Sequence, residues 1–243
     1  MRKTRVFVQA VLTIGEVARL EGEAAHHLGR VLKLRQGDIV QAFNGNGGYF
    51  ESEIVGVEKR SMLIRPGRFI NDDRESALDL TLAQGISRGR HMDYTIQKAV
   101  ELGIRKIVPL VTEFSNVKLE ADRARNRIDH WQKVIINACE QSGRSVFPRM
   151  TEPAALTEWV RTDTSSEKLV LHPDADRTIS TIKAENPTIT LLCGPEGGLS
   201  AAELDLARTR GYQVVSLGPR VLRTETAAVA AIVQCQSRWG DMG

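Results

Sequence analysis

Two stretches in the last third of this 243-residue sequence hold the residue types and spacings that could do chemistry. The first is GPEGG, Gly194–Gly198, and the second is LGPRVLRTETA, Leu217–Ala227. Three glycines in five residues let a backbone turn sharply and come close to a ligand. In the second stretch Arg220, Arg223 and Glu225 crowd the start of a helix whose body, Ala227–Ile232, is small and apolar. Thr224 can cap that helix, and Glu225 complements its dipole. The same dipole disfavours two arginines there, so they call for a carboxylate or phosphate partner. Either Arg223 pairs with Glu225 or Glu196, or it faces a substrate. Ser200 and Glu203 have capping-box spacing, which gives Glu203 a structural task. Glu196 has none in view. It is either a chemical group or a loop carboxylate bound to nearby backbone amides.

The elements around these stretches alternate. Strands are expected at Leu78–Gln84, Lys106–Thr112, Lys168–His172, Thr188–Gly194 and Tyr212–Gly218. Helices are expected at His91–Gly103, about Glu120–Ser142, near Thr178–Lys183, Ala201–Arg210 and Thr224–Arg238. Pro109 should weaken its strand or place it at an edge. Such alternation predicts an α/β domain on a mainly parallel sheet, with ligands outside the carboxyl ends of the strands. Three of those ends are unusual: Leu171–His172 before Pro173, the GPEGG turn and the LGPRVLRTETA turn.

The first third reads differently. Arg5–Val8, Asp38–Phe43, Tyr49–Val57 and Ser61–Arg65 are strand-like, the NGNGG turn Asn44–Gly48 marks a hairpin, and Glu23–Leu34 reads as a short helix. The polar run Asn71–Ser76 reads as a linker. We therefore expect a small β-barrel-like module over 1–72 and an α/β domain over 73–243. The first 72 residues carry 11 Lys+Arg against 8 Asp+Glu, whereas the remainder has 22 of each, so the whole net charge of +3 lies in the small module. That distribution suits contact with a polyanion.

Several classes drop out. The mean composition is globular, with 42% hydrophobic and 26% charged residues. No run of 18 apolar residues exists, and Glu16 and Arg19 interrupt the N-terminal stretch, so neither a membrane span nor a signal peptide is expected. Cys139, Cys193 and Cys235 are far apart, which predicts no disulfide framework, no metal site and a reducing, cytoplasmic setting. GPEGG is not the GxGxxG dinucleotide fingerprint, and no GxxxxGK(S/T) phosphate loop occurs.

Together GPEGG, LGPRVLRTETA, Asp93–Gly103 (DYTIQKAVELG) and Cys139–Arg144 (CEQSGR) resemble the RsmE family. Its members are S-adenosylmethionine-dependent methyltransferases that modify N3 of a uridine in 16S ribosomal RNA, the family's uridine 1498. Arg5–Val8, His26–Asp38 (HHLGRVLKLRQGD) and the FNGNGGYF hairpin are similar to that family's PUA-like RNA-binding domain. The resemblance implies a PUA-like β-barrel followed by a SPOUT α/β domain with a trefoil knot, a homodimer and a 16S rRNA or 30S subunit partner. It also implies a cofactor site in three loops, Leu171–His172, Cys193–Gly198 and Leu217–Thr226. Backbone there would hold the adenine of S-adenosylmethionine, with Leu192, Cys193, Gly194, Pro195, Glu196, Gly198, Gly218 and Arg223 at the site. Leu217, Val221, Leu222 and Ala227 would line its faces beside Leu192.

Uracil N3 must lose a proton before it can accept a methyl group, which asks for a base or for cations beside the flanking oxygens. Arg223 is expected to stabilise the anion, and Glu225 or Glu196 to take the proton or orient Arg223. RNA would be held by Arg5, His27, Arg30, Lys33 and Arg35, and by Arg88, Arg90, Lys98 and Arg144. Two other readings compete: an RNA-binding assembly factor without turnover, disfavoured by the intact loops, and a nucleotide-dependent oxidoreductase, disfavoured by the missing GxGxxG.

Overall fold

The computed structural model describes residues 4–115, 121–185 and 187–243, the side chains of 121–123 excepted. They form two compact units. One comprises residues 4–75 together with Cys139–Phe147, the other Ser76–Ala138 and Pro148–Gly243. The first unit therefore takes in a segment more than sixty residues downstream.

In the first unit β1 (Arg5–Phe7), β2 (Ala18–Leu20), β3 (Ile39–Phe43), β4 (Tyr49–Val57) and β5 (Met62–Ile70) form one sheet in the order β1-β3-β4-β5-β2. β2 is short and partly exposed, and its sequence carries no clear alternation. β5 runs five residues beyond the expected end, through Pro66, and pairs with β4 across two register shifts. The predicted helix is shorter than expected: α1 (Gly22–His26) passes into a π-helical turn at His27–Val31, and Lys33 then takes a left-handed φ of 54°. Val6, Leu20, Leu28, Val40, Ile54, Met62 and Ile64 close the core. The returning segment adds Phe147, which meets the Phe7 ring edge-on at 5.0 Å.

The second unit is built on parallel strands β6 (Asp79–Gly85), β7 (Lys106–Val111), β8 (Arg149–Met150), β9 (Ala154–Ala155), β10 (Glu167–Leu171), β11 (Thr188–Cys193) and β12 (Gln213–Val215). The order is β12-β10-β11-β6-β7-β8, with β9 also on β7. Leu80, Leu82, Ile189, Leu191 and Leu192 are fully buried, as expected for central strands covered on both faces. Pro109 lies inside this sheet rather than at its edge. The Ile107 carbonyl accepts from Thr151 on the outer side, so Pro109, two residues on, faces the same way. There the ladder is already interrupted between β8 and β9, and no N–H is missed.

Four helices complete this unit with a short α4 (Leu156–Trp159): α2 (Arg90–Glu101), α3 (Ala121–Ser142, of which Cys139–Ser142 belong to the first unit), α5 (Ala201–Thr209) and α6 (Thr224–Trp239). The helix expected near Thr178–Lys183 is only a 3-10 turn, Ile179–Thr181. The expected start of α3 at Glu120 lies outside the described residues. α2 buries Met92, Ile96, Ala99 and Val100, one face at helical spacing, and packs on α6. Among the described residues no helix is long and apolar enough to cross a membrane.

Candidate functional site

Parallel strands put all their carboxyl ends on one side. There the connections after β6, β10, β11 and β12 surround a cavity of about 670 Å³. The β10 connection contributes Leu171, His172 and Pro173, and the β11 connection Cys193 to Leu199. The β12 connection and the first turn of α6 contribute Leu217, Gly218, Arg220 to Glu225 and Ala227. His91, from the start of α2, completes the wall.

Close backbone contact locks these connections together. Pro195 presses on the end of β6 so tightly that a Cβ on Gly85 would stand 2.5 Å from its Cδ and 2.6 Å from its nitrogen. The GPEGG turn closes on itself, with the Gly198 N–H donating to Pro195 O at 2.9 Å. Thr224 does not cap α6. Its hydroxyl donates instead to Gly194 O at 2.6 Å. The fully buried Gln84 amide donates to the Thr224 hydroxyl at 3.0 Å and also reaches Gly194 O and Gly85 O. One side chain thus ties the ends of β6 and β11 to the start of α6. Glu203 has the structural task expected of it: it completes the capping box with Ser200 and accepts the Glu113 N–H at 2.8 Å.

Of the two alternatives for Arg223, the ion pair with Glu225 or Glu196 is not formed among the described residues; the carboxylates have other partners. Glu196 accepts the Arg88 backbone N–H at 2.8 Å, the loop-tether alternative. Glu225 meets His91 Nδ1 at 3.0 Å, with side-chain exposures of 13% and 42%. Arg223 is left exposed on the cavity wall. His91 goes unnoticed in the sequence because it belongs to a helix 134 positions away from Glu225. Its one signal is its place directly after the basic SRGR turn.

The chain carries a match to an RNA methyltransferase domain over residues 74–236 and to an RNA methyltransferase PUA domain over residues 20–66. A curated relative from Buchnera aphidicola of Schizaphis graminum, a ribosomal RNA small subunit methyltransferase E, is 33% identical over 99% of this chain and 98% of its own length. The chain belongs to the RsmE family. Among solved RsmE proteins, one from Neisseria gonorrhoeae bound to S-adenosyl methionine is 34% identical over the whole of both chains, with a TM-score of 0.92. A Legionella pneumophila protein solved with the bound cofactor SAM is 38% identical over 99% of this chain and 100% of its own, with a TM-score of 0.96.

Of the RsmE cofactor candidates, Leu171, His172, Cys193, Gly194, Pro195, Glu196, Gly198, Leu217, Gly218, Val221, Leu222, Arg223 and Ala227 line the cavity. Leu192 does not. Strand alternation turns it into the core beside Ala83, Val108 and Val170. Thr226 is exposed on the first turn of α6, outside the lining.

Two of the RNA candidates are corrected. The Arg5 side chain is only 5% exposed: it lies 5.1 Å from the Phe43 ring and 5.0 Å from the Tyr49 ring, and donates to Ser145 Oγ at 2.7 Å. Arg144 is 4% exposed and grips the Glu75 carboxylate. Both guanidiniums hold the returning segment within the first unit and present no charge to a ligand. Lys98 is partly covered and pairs with Glu101 at 2.8 Å. His27, Arg30, Lys33, Arg35, Arg88 and Arg90 are exposed.

Proposed function

We propose that this chain transfers a methyl group from S-adenosylmethionine to N3 of one uridine in small-subunit ribosomal RNA, the family's uridine 1498. The observation that carries the reading is the cavity at the strand ends, which gathers the GPEGG and LGPRVLRTETA turns around one space. Its volume suits a nucleoside-sized ligand, for which pockets run roughly 300–1,000 Å³. Its make-up suits this one. Leu171, Leu217, Val221, Leu222 and Ala227 offer apolar faces to adenine and ribose. Gly194 runs so close to Gly198 that a Cβ would be 2.8 Å from its carbonyl carbon, so bare backbone is available to the base edge. Both solved relatives named above hold this compound.

When bound, S-adenosylmethionine supplies an electrophilic methyl group on a cationic sulfur. The chain's residues have the other tasks. They must hold uracil N3 in line, exclude water and manage one proton. Arg223, exposed on the wall, is suited to the negative charge that develops on the uracil oxygens. Of the two glutamates Glu225 is the one held against a titratable side chain, His91, whereas Glu196 is tied to the Arg88 backbone amide, so proton handling falls on the Glu225 side of the cavity. N3 lies on the Watson–Crick edge, so the target must be unpaired or flipped out. Sequence-independent grip on the RNA backbone falls to His27, Arg30, Lys33 and Arg35 in the first unit and to Arg88 and Arg90 in the second.

The same reading makes residues 1–72, completed by the returning Cys139–Phe147, a PUA-like barrel, and the rest of 73–243 a SPOUT domain ending in a trefoil knot. What supports the knot is that the final stretch of chain meets the β10–β11 connection at two places. Ser216 N–H donates to Arg177 O at 2.8 Å, and Arg238 and Trp239 donate to Ile182 O and Ala184 O. A chain threaded through that connection would make such contacts. Homodimer formation is supported by half-buried Val229, Ala230 and Val233 on α6, apolar surface that a second subunit could cover. A cytoplasmic setting follows from a ribosomal substrate.

The test is incubation with small-subunit RNA or 30S subunits and S-adenosylmethionine bearing a deuterated methyl group, then mass analysis of the nucleosides. N3-methyluridine carrying the label is expected. Label on a base carbon or a ribose oxygen, or none, overturns the reading.

A further inference from the structure

We infer that His91 is the base that takes the N3 proton, and that Glu225 is a positioning residue acting through it. This deepens the methyl-transfer reading above and rests on it. The ground is a carboxylate–imidazole pair at the cavity wall. Glu225, almost covered, holds His91 Nδ1 at 3.0 Å, while the imidazole is nearly half exposed. An ionised carboxylate can only accept, so Nδ1 carries the proton and Nε2 keeps its lone pair. Nε2 has no hydrogen-bond partner among the described residues, and His91 lines the same cavity as Arg223.

The placement is enforced. The His91 carbonyl accepts the Thr95 hydroxyl at 2.9 Å, and Glu225 sits on the first turn of α6 behind Thr224, which is anchored to Gly194 O. Imidazole suits the task better than a carboxylate does, because its ordinary titration range lies close to neutral pH. In the transfer, the N3–H bond breaks and its proton goes to His91 Nε2. The electron pair left on N3 forms the new N–CH3 bond, the C–S bond breaks, and its pair stays on sulfur, which leaves uncharged. The imidazolium, stabilised by Glu225, then returns its proton to water.

Glu225 from α6 touches this imidazole; Glu196 from the β11 connection and Arg220 and Arg223 from the β12 connection share the cavity wall with it, and Arg88 and Arg90 flank it in the chain. Arginines keep their charge across the accessible range, so an acid limb that His91→Asn removes belongs to the His91–Glu225 pair, and one that persists in it belongs to Glu196 or to the RNA.

His91→Asn keeps a donor for Glu225 and removes the basic nitrogen. It is expected to lower the single-turnover rate at least about 100-fold, the scale of a positioned base. Its S-adenosylmethionine affinity by calorimetry should stay within about twofold of wild type, and the acid limb of the pH profile should vanish. His91→Ala should regain part of its rate in added imidazole. In the ligand-free protein, 15N NMR should find the neutral His91 ring in its Nδ1–H tautomer, and Glu225→Ala should release it toward the Nε2–H form. His91→Asn retaining the wild-type rate and acid limb overturns the assignment. An unchanged His91 tautomer in Glu225→Ala overturns the pairing. Wild type that binds S-adenosylmethionine but leaves N3 unmethylated overturns the underlying reading, and this inference with it.

Discussion

Adding a single methyl group at Gly85 tests whether the end of β6 and the GPEGG turn build the site jointly. In Gly85→Ala the new Cβ would lie 2.5 Å from Pro195 Cδ and 2.6 Å from Pro195 N, whereas ordinary contact begins near 3.4 Å. Pro195 is ring and backbone, so no flexible side chain can swing aside. The turn must retreat by about 0.8 Å, and strain of that kind costs about 1–3 kcal/mol. The retreat would stretch Gln84 Nε2 to Gly194 O from 3.2 Å to about 4.0 Å, beyond hydrogen-bond range. A net bond of about 1 kcal/mol goes with it. Because the displaced segment is the cavity wall, much of this loss should surface in ligand binding. At about 1.4 kcal/mol per tenfold, affinity for S-adenosylmethionine should fall roughly 10–100-fold by titration calorimetry. Gly29→Ala is the control: its Cβ would meet only Met62 Sδ, at 3.6 Å in the first unit, and should change nothing. Gly85→Ala that binds as tightly as wild type would refute the idea that this contact shapes the site.

Arg5→Ala should cost about 2–4 kcal/mol in urea unfolding, because it strips a buried cation from Ser145, Phe43 and Tyr49 and leaves their polar partners unmet. The double reversal Arg30→Glu, Lys33→Glu should leave unfolding and S-adenosylmethionine affinity alone. It should weaken RNA binding and flatten its salt dependence by roughly 0.7–0.9 in log–log slope for each phosphate no longer neutralised, measured by fluorescence titration. Arg223→Ala should lose at least about tenfold in single-turnover methyl transfer with cofactor affinity intact. Burial pushes the Glu140 carboxyl up, against the opposing bond from the Phe7 N–H. A raised carboxyl favours folding while protonated. That contribution is complete below the unfolded value and disappears as pH rises through the folded one. Glu140→Gln should therefore gain stability relative to wild type as pH increases from about 4 toward neutrality, read by denaturant midpoints.

Periodicity and turn residues carry much of the fold. β4 has the bounds its alternation implies, Tyr49–Val57, and the strand–helix alternation after Leu78 yields the parallel sheet. Ser200–Glu203 spacing is enough to assign a capping box. The misses have physical reasons. β2, β8 and β9 are two or three residues long, too short for alternation to register. Arg5 and Arg144 look ligand-binding in the sequence because charge usually means surface; burial by a segment returning from residue 139 onward is a tertiary fact. Leu192 and Cys193 differ only by strand phase, and one residue of phase decides between core and cavity. Gln84 and His91 join groups more than a hundred positions apart, so no local pattern announces them.

The central claim is that the β10, β11 and β12 connections together hold the methyl donor beside His91, Glu225 and Arg223. A crystal structure of the protein with S-adenosylmethionine tests it most directly. The account predicts adenosine enclosed by Leu171–Pro173, Cys193–Gly198 and Leu217–Leu222, with the sulfonium methyl directed toward the His91–Glu225 pair. Density for the compound elsewhere, or a methyl directed away from that pair, would contradict it.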